Sequence, residues 1–281
     1  ARESSTTQDL ISTGAHFLLP EELPQNHFDL AILSPGIPPS SQIYRNAEKH
    51  SKVLCGELDF AALYLPQTIL LGITGTNGKT TCTEMCTHIL QKAGLKAIAA
   101  GNIGLPLAEV ALLGEPPQVV ILELSSFQLD LVSSLTLTAS ALLNISEDHR
   151  DRYPAYQDYI NSKLSISRIS EHFALSDTIA NAPKSFAKTK AEYFSTQGTS
   201  TNLAIYDNQL FLNGVSHATL PSLPFSGAHN YQNLLAAINL CGYCGISPSE
   251  ALQYIRNFQT SPHRMQVVLE RSKITYINDS K

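Results

Sequence analysis

Gly72-Ile73-Thr74-Gly75-Thr76-Asn77-Gly78-Lys79-Thr80-Thr81 joins a short apolar run, residues 68–74, to a segment of helical character, residues 79–93. A buried strand, a glycine-rich turn and a helix in that order make an anion site. Glycines let backbone amides converge on phosphate oxygens, and the helix N-terminus adds positive potential. Gly75, Thr76, Asn77, Gly78, Lys79, Thr80 and Thr81 are therefore expected to form a loop for the phosphates of ATP. Lys79 would neutralise the β- and γ-phosphates, and the Thr80 hydroxyl would ligate Mg²⁺. The strict pattern G-x-x-x-x-G-K-[ST] requires glycine at position 73, where Ile73 stands; Gly72 comes one residue early. The bland alternative is a strand-to-helix turn that binds nothing.

Outward from the loop, apolar runs alternate with helical segments. Strands are expected at 96–100, 118–124 and 137–145, and helices at 106–113 and 155–169. Such alternation predicts an α/β fold with a doubly wound, mostly parallel sheet and helices on both faces. The runs 203–206 and 209–212 flank Asp207-Asn208, a hairpin signal. Helices are expected at 229–241 and 248–257, then strands at 267–269 and 274–277. Upstream, 29–33 and 52–55 read as strands around a helix at 41–50. The division expected is 1–56, 57–262 and 263–281.

Hydrophobic residues make up 43% of the 281 residues and charged residues 15%, a globular composition. A net charge of −5 with scattered basic residues gives no support to a nucleic-acid partner. No apolar run approaches the ~20 residues of a membrane span. The five cysteines, Cys55, Cys82, Cys86, Cys241 and Cys244, form no disulfide framework, so a reduced, cytoplasmic setting is expected. Cys241-x-x-Cys244 could suggest redox or metal chemistry, yet no second pair completes a zinc site, and packing is the expected role. The chain begins Ala-Arg-Glu without methionine or signal peptide, and a fragment of a longer protein is expected.

The segment Thr74-Gly-Thr-Asn-Gly-Lys-Thr80 is the form of the loop found in Mur ligases and folylpolyglutamate synthases. Gly101-Asn-Ile-Gly104, Leu122-Glu-Leu-Ser-Ser-Phe-Gln-Leu129, Glu147-Asp-His-Arg-Asp-Arg-Tyr153, Gly227-Ala-His-Asn230, His263-Arg264 and Ile277-Asn-Asp-Ser-Lys281 follow in order. Together they resemble the D-glutamate-adding branch of the Mur ligase family. The resemblance runs from Ser34 to the last residue, and Glu-Leu-Ser-Ser-Phe is its most specific part.

The resemblance implies three domains: a Rossmann-like UDP-binding domain, a central ATPase domain and a C-terminal Rossmann-like domain. This chain is expected to hold part of the first, the whole second and the entrance of the third. It implies an ATP-dependent ligase joining D-glutamate to UDP-N-acetylmuramoyl-L-alanine through an acyl phosphate, acting as a monomer. It also implies roles residue by residue. Glu123, ending a strand at the carboxyl edge of the sheet, shares a Mg²⁺ with Thr80. His149 and a carbamylated Lys163 ligate a second Mg²⁺, and Lys79, His149 and Lys163 are the catalytic set. Asn230, Arg264 and Asp279 contact ATP; Gly36, Asn102, Lys281 and Arg2 contact substrate.

Each has a plainer alternative. Glu123 could serve a helix amide, and His149 could be a solvated loop residue. Asn230 could cap the helix that starts there, and Lys163 could be an exposed helix lysine. Asp148 and Asp151 are expected to cap the following helix or to pair with Arg152. Other phosphate-loop enzymes would show an aspartate where Glu123 stands, or an Asn-Lys-x-Asp segment, which is absent. A folylpolyglutamate synthase-like ligase and a nucleotide-binding module without turnover are the remaining alternatives.

Overall fold

The structure, a computed structural model, describes residues 5–16, 18, 28–179, 191–259, 266–271 and 274–278. The chain divides into two units, Ala1–Gly56 and Glu57–Lys281. In the first, α1 (Ser5–Ser12) precedes a β-α-β segment of β1 (Phe28–Leu33), α2 (Gln42–His50) and β2 (Ser51–Gly56). The two strands pair in parallel, so the connection crosses over through α2. Ser41 caps α2, its hydroxyl accepting from the Tyr44 amide at 3.2 Å. The sequence did not announce α1.

The second unit opens with α3 (Glu57–Ala62), also unanticipated, then β3 (Ile69–Thr74) and α4 (Lys79–Lys92). There follow β4 (Ala97–Gly101), α5 (Leu107–Ala111), β5 (Val119–Glu123), a single turn α6 (Ser126–Leu129), β6 (Leu137–Leu142) and α7 (Tyr156–Leu164). Next come β7 (Ser170–Ser176), β8 (Glu192–Ser195), β9 (Leu203–Tyr206), β10 (Gln209–Leu212) and β11 (Val215–Thr219). α8 (Ala228–Gly242) and α9 (Pro248–Tyr254) lead to the antiparallel hairpin β12 (Gln266–Arg271) and β13 (Ile274–Asn278).

The main sheet runs β11-β10-β9-β8-β7-β6-β3-β5-β4. From β4 across to β9 neighbouring strands are parallel; β9, β10 and β11 form an antiparallel margin. The fold is thus mixed α/β with a large, mostly parallel sheet. Period-two alternation explains the helices on both faces. Leu71, Ile73, Val119 and Ile121 join a cluster with Met85 and Ile89 of α4 and Leu234, Leu235 and Ile238 of α8. Leu70, Val120 and Leu122 join the opposite cluster with Leu58 of α3, Leu107 and Val110 of α5 and Leu164 of α7.

Several boundaries correct the sequence reading. The helix expected at 155–169 is α7 followed by a 3₁₀ turn at Ser165–Arg168, and the strand expected at 137–145 stops at Leu142. The turn Asp207-Asn208 has φ of 45° and 57°, the left-handed pair that a two-residue hairpin demands. Cys82, Cys86 and Cys241 are fully buried between α4 and α8, and burial pushes the Cys82 and Cys241 thiols well up. Packing is therefore their role. Buried Asp59 holds the loop before β6, accepting from the amides of Ser133, Ser134 and Leu135 at 2.9, 2.8 and 2.6 Å.

Candidate functional site

β3 sits where the strand order reverses, between β5 and β6, and a crevice at such a switch point is where open α/β sheets bind ligands. Registers Ile73↔Glu123, Thr74↔Leu142 and Gly101↔Glu123 bring the carboxyl ends of β3, β4, β5 and β6 level with one another. Residues 75–78 turn from β3 into α4 at that edge.

Gly78 caps α4 with φ 82°, and a Cβ there would lie 2.4 Å from Asn233 Oδ1 of α8. Both the left-handed backbone and the close amide require glycine. Gly78→Ala is expected to loosen the loop and cost about 2 kcal/mol of stability, from αL strain and displacement of Asn233. Denaturant unfolding would check it, an unchanged midpoint contradicting the contact.

Lys79 begins α4, and its ammonium folds back to donate to the carbonyls of Gly75 and Thr76, both at 2.9 Å. It is half-buried rather than free in solvent. The Thr80 hydroxyl donates to Glu123 Oε2 at 2.8 Å, and the Asn102 amide donates to Glu123 Oε1 at 2.7 Å. Glu123 is 2% exposed. Gly101, at φ 96°, allows this approach, since a Cβ there would meet the Glu123 carbonyl at 2.5 Å. Asn102, expected at the substrate, here orients Glu123. Thr81 is buried beneath the helix start.

The segment after β6 is tied to the loop. Thr76 N donates to the Asn144 carbonyl at 3.0 Å, and Asn77 N to Asn144 Oδ1 at 2.8 Å. Asn144 Nδ2 returns a bond to the Asn77 carbonyl at 2.9 Å. The Thr76 hydroxyl accepts from Ser146 N at 3.0 Å and lies 3.0 Å from the Tyr159 hydroxyl.

His149 follows in the same segment with φ 51°. Its ring packs on Phe127, centroids 4.7 Å apart, and the Arg152 guanidinium covers the Phe127 ring from 4.1 Å. Arg152 approaches Asp130 at 3.7 Å, and the Tyr153 hydroxyl donates to the same carboxylate at 2.8 Å. The cap position of α7 is Ala155, so capping, one of the two roles expected of Asp148 and Asp151, is not theirs. Asp158 reaches back to the Ala155 amide at 3.2 Å, while Asp148 accepts from the His149 amide at 2.8 Å.

Lys163, on α7, is 2% exposed, which overturns its plainer alternative as a surface lysine. Its Nζ donates to the Gly75 carbonyl at 2.9 Å, the carbonyl that Lys79 also uses. Burial, then the neighbouring Lys79 charge, pulls its pKa down to about 7, with Asp148, Asp130 and Glu123 opposing.

Asn230 stands inside α8, whose cap is Gly227, so it does not cap the helix. It is buried, and its amide donates to the Ser226 carbonyl at 2.9 Å. Gly36 lies in the first unit, in a turn closed by Ile37 N to Ser34 O at 3.0 Å. Arg2, Arg264, Asp279 and Lys281 fall outside the described residues. The loop thus gathers Lys79, Thr80, Glu123, Asn102 and Lys163, with His149 on the segment bound to it. Asn144, Tyr159 and Asn233 carry no local sequence signature, for a polar side chain beyond a strand or inside a helix announces no partner.

Among the described residues no group of three or more His, Cys, Asp or Glu is arranged to hold a metal ion by itself. The oxygen donors of Thr80 and Glu123 nevertheless suit Mg²⁺, which takes one or two carboxylates and completes its shell with phosphate and water. No described helix is long and apolar enough to cross a membrane.

Comparison with known proteins gives a concordant picture. The family description "Mur ligase middle domain" matches residues 73–241, more than half of the chain. UDP-N-acetylmuramoylalanine--D-glutamate ligase of Protochlamydia amoebophila is 37% identical over 267 residues, covering 90% of this chain and 58% of that protein. The protein of the same name in Trichlorobacter lovleyi is 34% identical over 263 residues, again covering 90% and 58%. The chain therefore spans little more than half the length of these relatives. Among solved structures, MurF from Acinetobacter baumannii superposes with TM-score 0.63 at 18% identity, covering 91% of this chain and 65% of that one. MurF ligase from Thermotoga maritima, in complex with ADP, gives 0.59 at 14%, covering 94% and 70%. At those identities the likeness is one of fold.

Proposed function

The chain belongs to the Mur ligase family, and we propose that it carries the ATP-binding half of an enzyme that joins D-glutamate to UDP-N-acetylmuramoyl-L-alanine. The observation that carries this is the cluster of Lys79, Thr80 and Glu123 at the switch point of the sheet. The alanyl carboxylate would attack the γ-phosphate of ATP, giving an acyl phosphate and ADP. The amine of D-glutamate would then displace phosphate through a tetrahedral intermediate.

Two anions must meet in the first step, so positive charge has to be in place beforehand. Lys79 supplies it on the phosphate side, moving from the Gly75 and Thr76 carbonyls to the phosphate oxygens. Mg²⁺, when bound, would neutralise the remaining phosphate charge. Thr80 and Glu123 would hold one such ion, and His149 with a carbamate on Lys163 a second. Asn102 keeps the Glu123 carboxylate turned toward Thr80. Asn230, with Arg264 and Asp279, is assigned to ATP; Gly36, Arg2 and Lys281 to the nucleotide-sugar substrate.

We assign 1–56 to part of a Rossmann-like UDP-binding domain, 57–262 to the central domain and 263–281 to the entrance of a C-terminal Rossmann-like domain. The reaction is placed in the cytoplasm, with the protein a monomer. All five cysteines are free, which suits a reducing compartment.

The test is turnover. Residues 1–281 alone should bind Mg·ADP yet make no D-glutamyl product, because the relatives' further length would complete the amino-acid site. A chain extended to that length should incorporate labelled D-glutamate. Product from 1–281 alone would refute the division of labour, and use of a folate acceptor in place of UDP-N-acetylmuramoyl-L-alanine would refute the substrate assignment.

A further inference from the structure

The phosphate loop does not stand on β3 and α4 alone. Asn144, two residues beyond β6, makes a reciprocal amide pair with the Asn77 backbone, donating and accepting at 2.9 and 2.8 Å. Its own carbonyl takes the Thr76 amide at 3.0 Å. One residue thus fixes two successive loop amides and so decides which amides remain to face a phosphate. Two residues on, Ser146 closes on the Thr76 hydroxyl, and three further residues bring the chain to His149. His149 has a left-handed backbone, which for a residue with a Cβ is sustained by its surroundings. The Arg152 and Tyr153 amides both donate to its carbonyl, at 3.0 and 3.1 Å.

We propose that Asn144 is a positioning residue that holds the phosphate loop in register with the segment carrying His149, so that a ligand on the loop is felt at His149. A hydrocarbon in its place would leave the Asn77 N–H and C=O to water, and of the hydrogen bonds between loop and segment among the described residues those of Thr76 would remain. The ligand part of this inference rests on the nucleotide-binding assignment above; the coupling itself does not.

The test uses residues 1–281 labelled for NMR, with Asn144→Ala and the near-isosteric Asn144→Asp. In the ligand-free protein, Asn144→Ala should remove exchange protection from the Asn77 amide and shift the His149 imidazole resonances. Asn144→Asp keeps an acceptor for the Asn77 amide, so protection should survive. It opposes a carboxylate to the Asn77 carbonyl, so the His149 resonances should still move. A residue that merely stabilised the domain would lower the unfolding midpoint and leave His149 unmoved. Calorimetry with Mg·ADP should show affinity about tenfold weaker in Asn144→Ala, as expected for two lost hydrogen bonds. Parent-like Asn77 protection and His149 resonances in Asn144→Ala would overturn the proposal. Should that variant not fold, an unmoved His149 in Asn144→Asp would overturn it equally. A parent chain that binds no Mg·ADP would defeat the nucleotide assignment instead, with the ligand-free spectra still deciding the role of Asn144.

Discussion

Lys79→Ala is expected to weaken binding of Mg·ATP and Mg·ADP about a hundredfold, on the order of 3 kcal/mol for a charge-assisted contact to phosphate. The unfolding midpoint should hardly change. The side chain is half-buried at the first position of α4, and its bonds in the ligand-free protein are to the loop carbonyls of Gly75 and Thr76. Water can replace it at both. Among the described residues nothing else at the loop supplies a comparable cation, because Lys163 reaches the site through the same Gly75 carbonyl and its pKa is depressed to about 7. The variant carries a second signature. Lys79's charge is one of the two causes of that depression, so its removal should raise the Lys163 pKa, visible by NMR of the lysine amines. Equal nucleotide affinity in variant and parent, measured by calorimetry, would remove the basis for the phosphate loop.

Why so much of this site could be read in the chain follows from where its signals lie. A buried strand, glycines at fixed spacing and Lys-Thr at a helix start are local. The expected 68–74 and 79–93 therefore differ from β3 and α4 by one residue each. Asp207-Asn208 was legible for the same reason. Asn213-Gly214, with φ of 50° and 80°, is an equally plain hairpin signal between β10 and β11. β7 is hidden for another reason. Ser170-Glu-His-Phe-Ala-Leu-Ser176 is strand-length but follows α7 and a 3₁₀ turn with no glycine or proline to mark the change. Burial is a property of the assembled layers, which is why Lys163 read as a surface lysine on sequence pattern alone. The Asn102 to Glu123 bond and the Asn144 pair are long-range as well, spanning 21 and 67 residues.

Lys163→Met is expected to stabilise the ligand-free protein while removing the proposed carbamate. In the folded chain the Lys163 pKa is lowered to about 7 from an ordinary value of 10.5. Between those values the unfolded chain binds a proton that the folded chain has released, so Lys163 makes stability rise with pH across that window. Below pH 7 both states are protonated and the burial penalty is in full force. Methionine fills similar space without charge. The gain at pH 6 should therefore be about 2 kcal/mol after subtracting the lost bond to Gly75, fading as pH approaches 10.5. A buried group that costs stability is retained where function needs it.

The same features favour reaction with CO₂. A pKa near 7 leaves much of the amine neutral at neutral pH. Its lone pair can bond the carbon of CO₂, one C=O electron pair moves to oxygen, and an N–H proton leaves to water. The product is an anion where a cation stood, so its relation to Lys79 turns from repulsion to attraction. It also offers oxygen donors, which a hard divalent cation prefers to an amine. With ¹³C-bicarbonate, the parent protein should show a carbamate carbon signal that is absent from Lys163→Met. In a chain extended to the relatives' full length, Lys163→Ala should lower D-glutamate incorporation by about a hundredfold or more, the loss of a preorganised charge. Short carboxylates at millimolar concentration should restore part of it by filling the space left. A stability gain in Lys163→Met at pH 6 with no labelled signal in the parent would leave a buried, unmodified lysine and end the carbamate assignment.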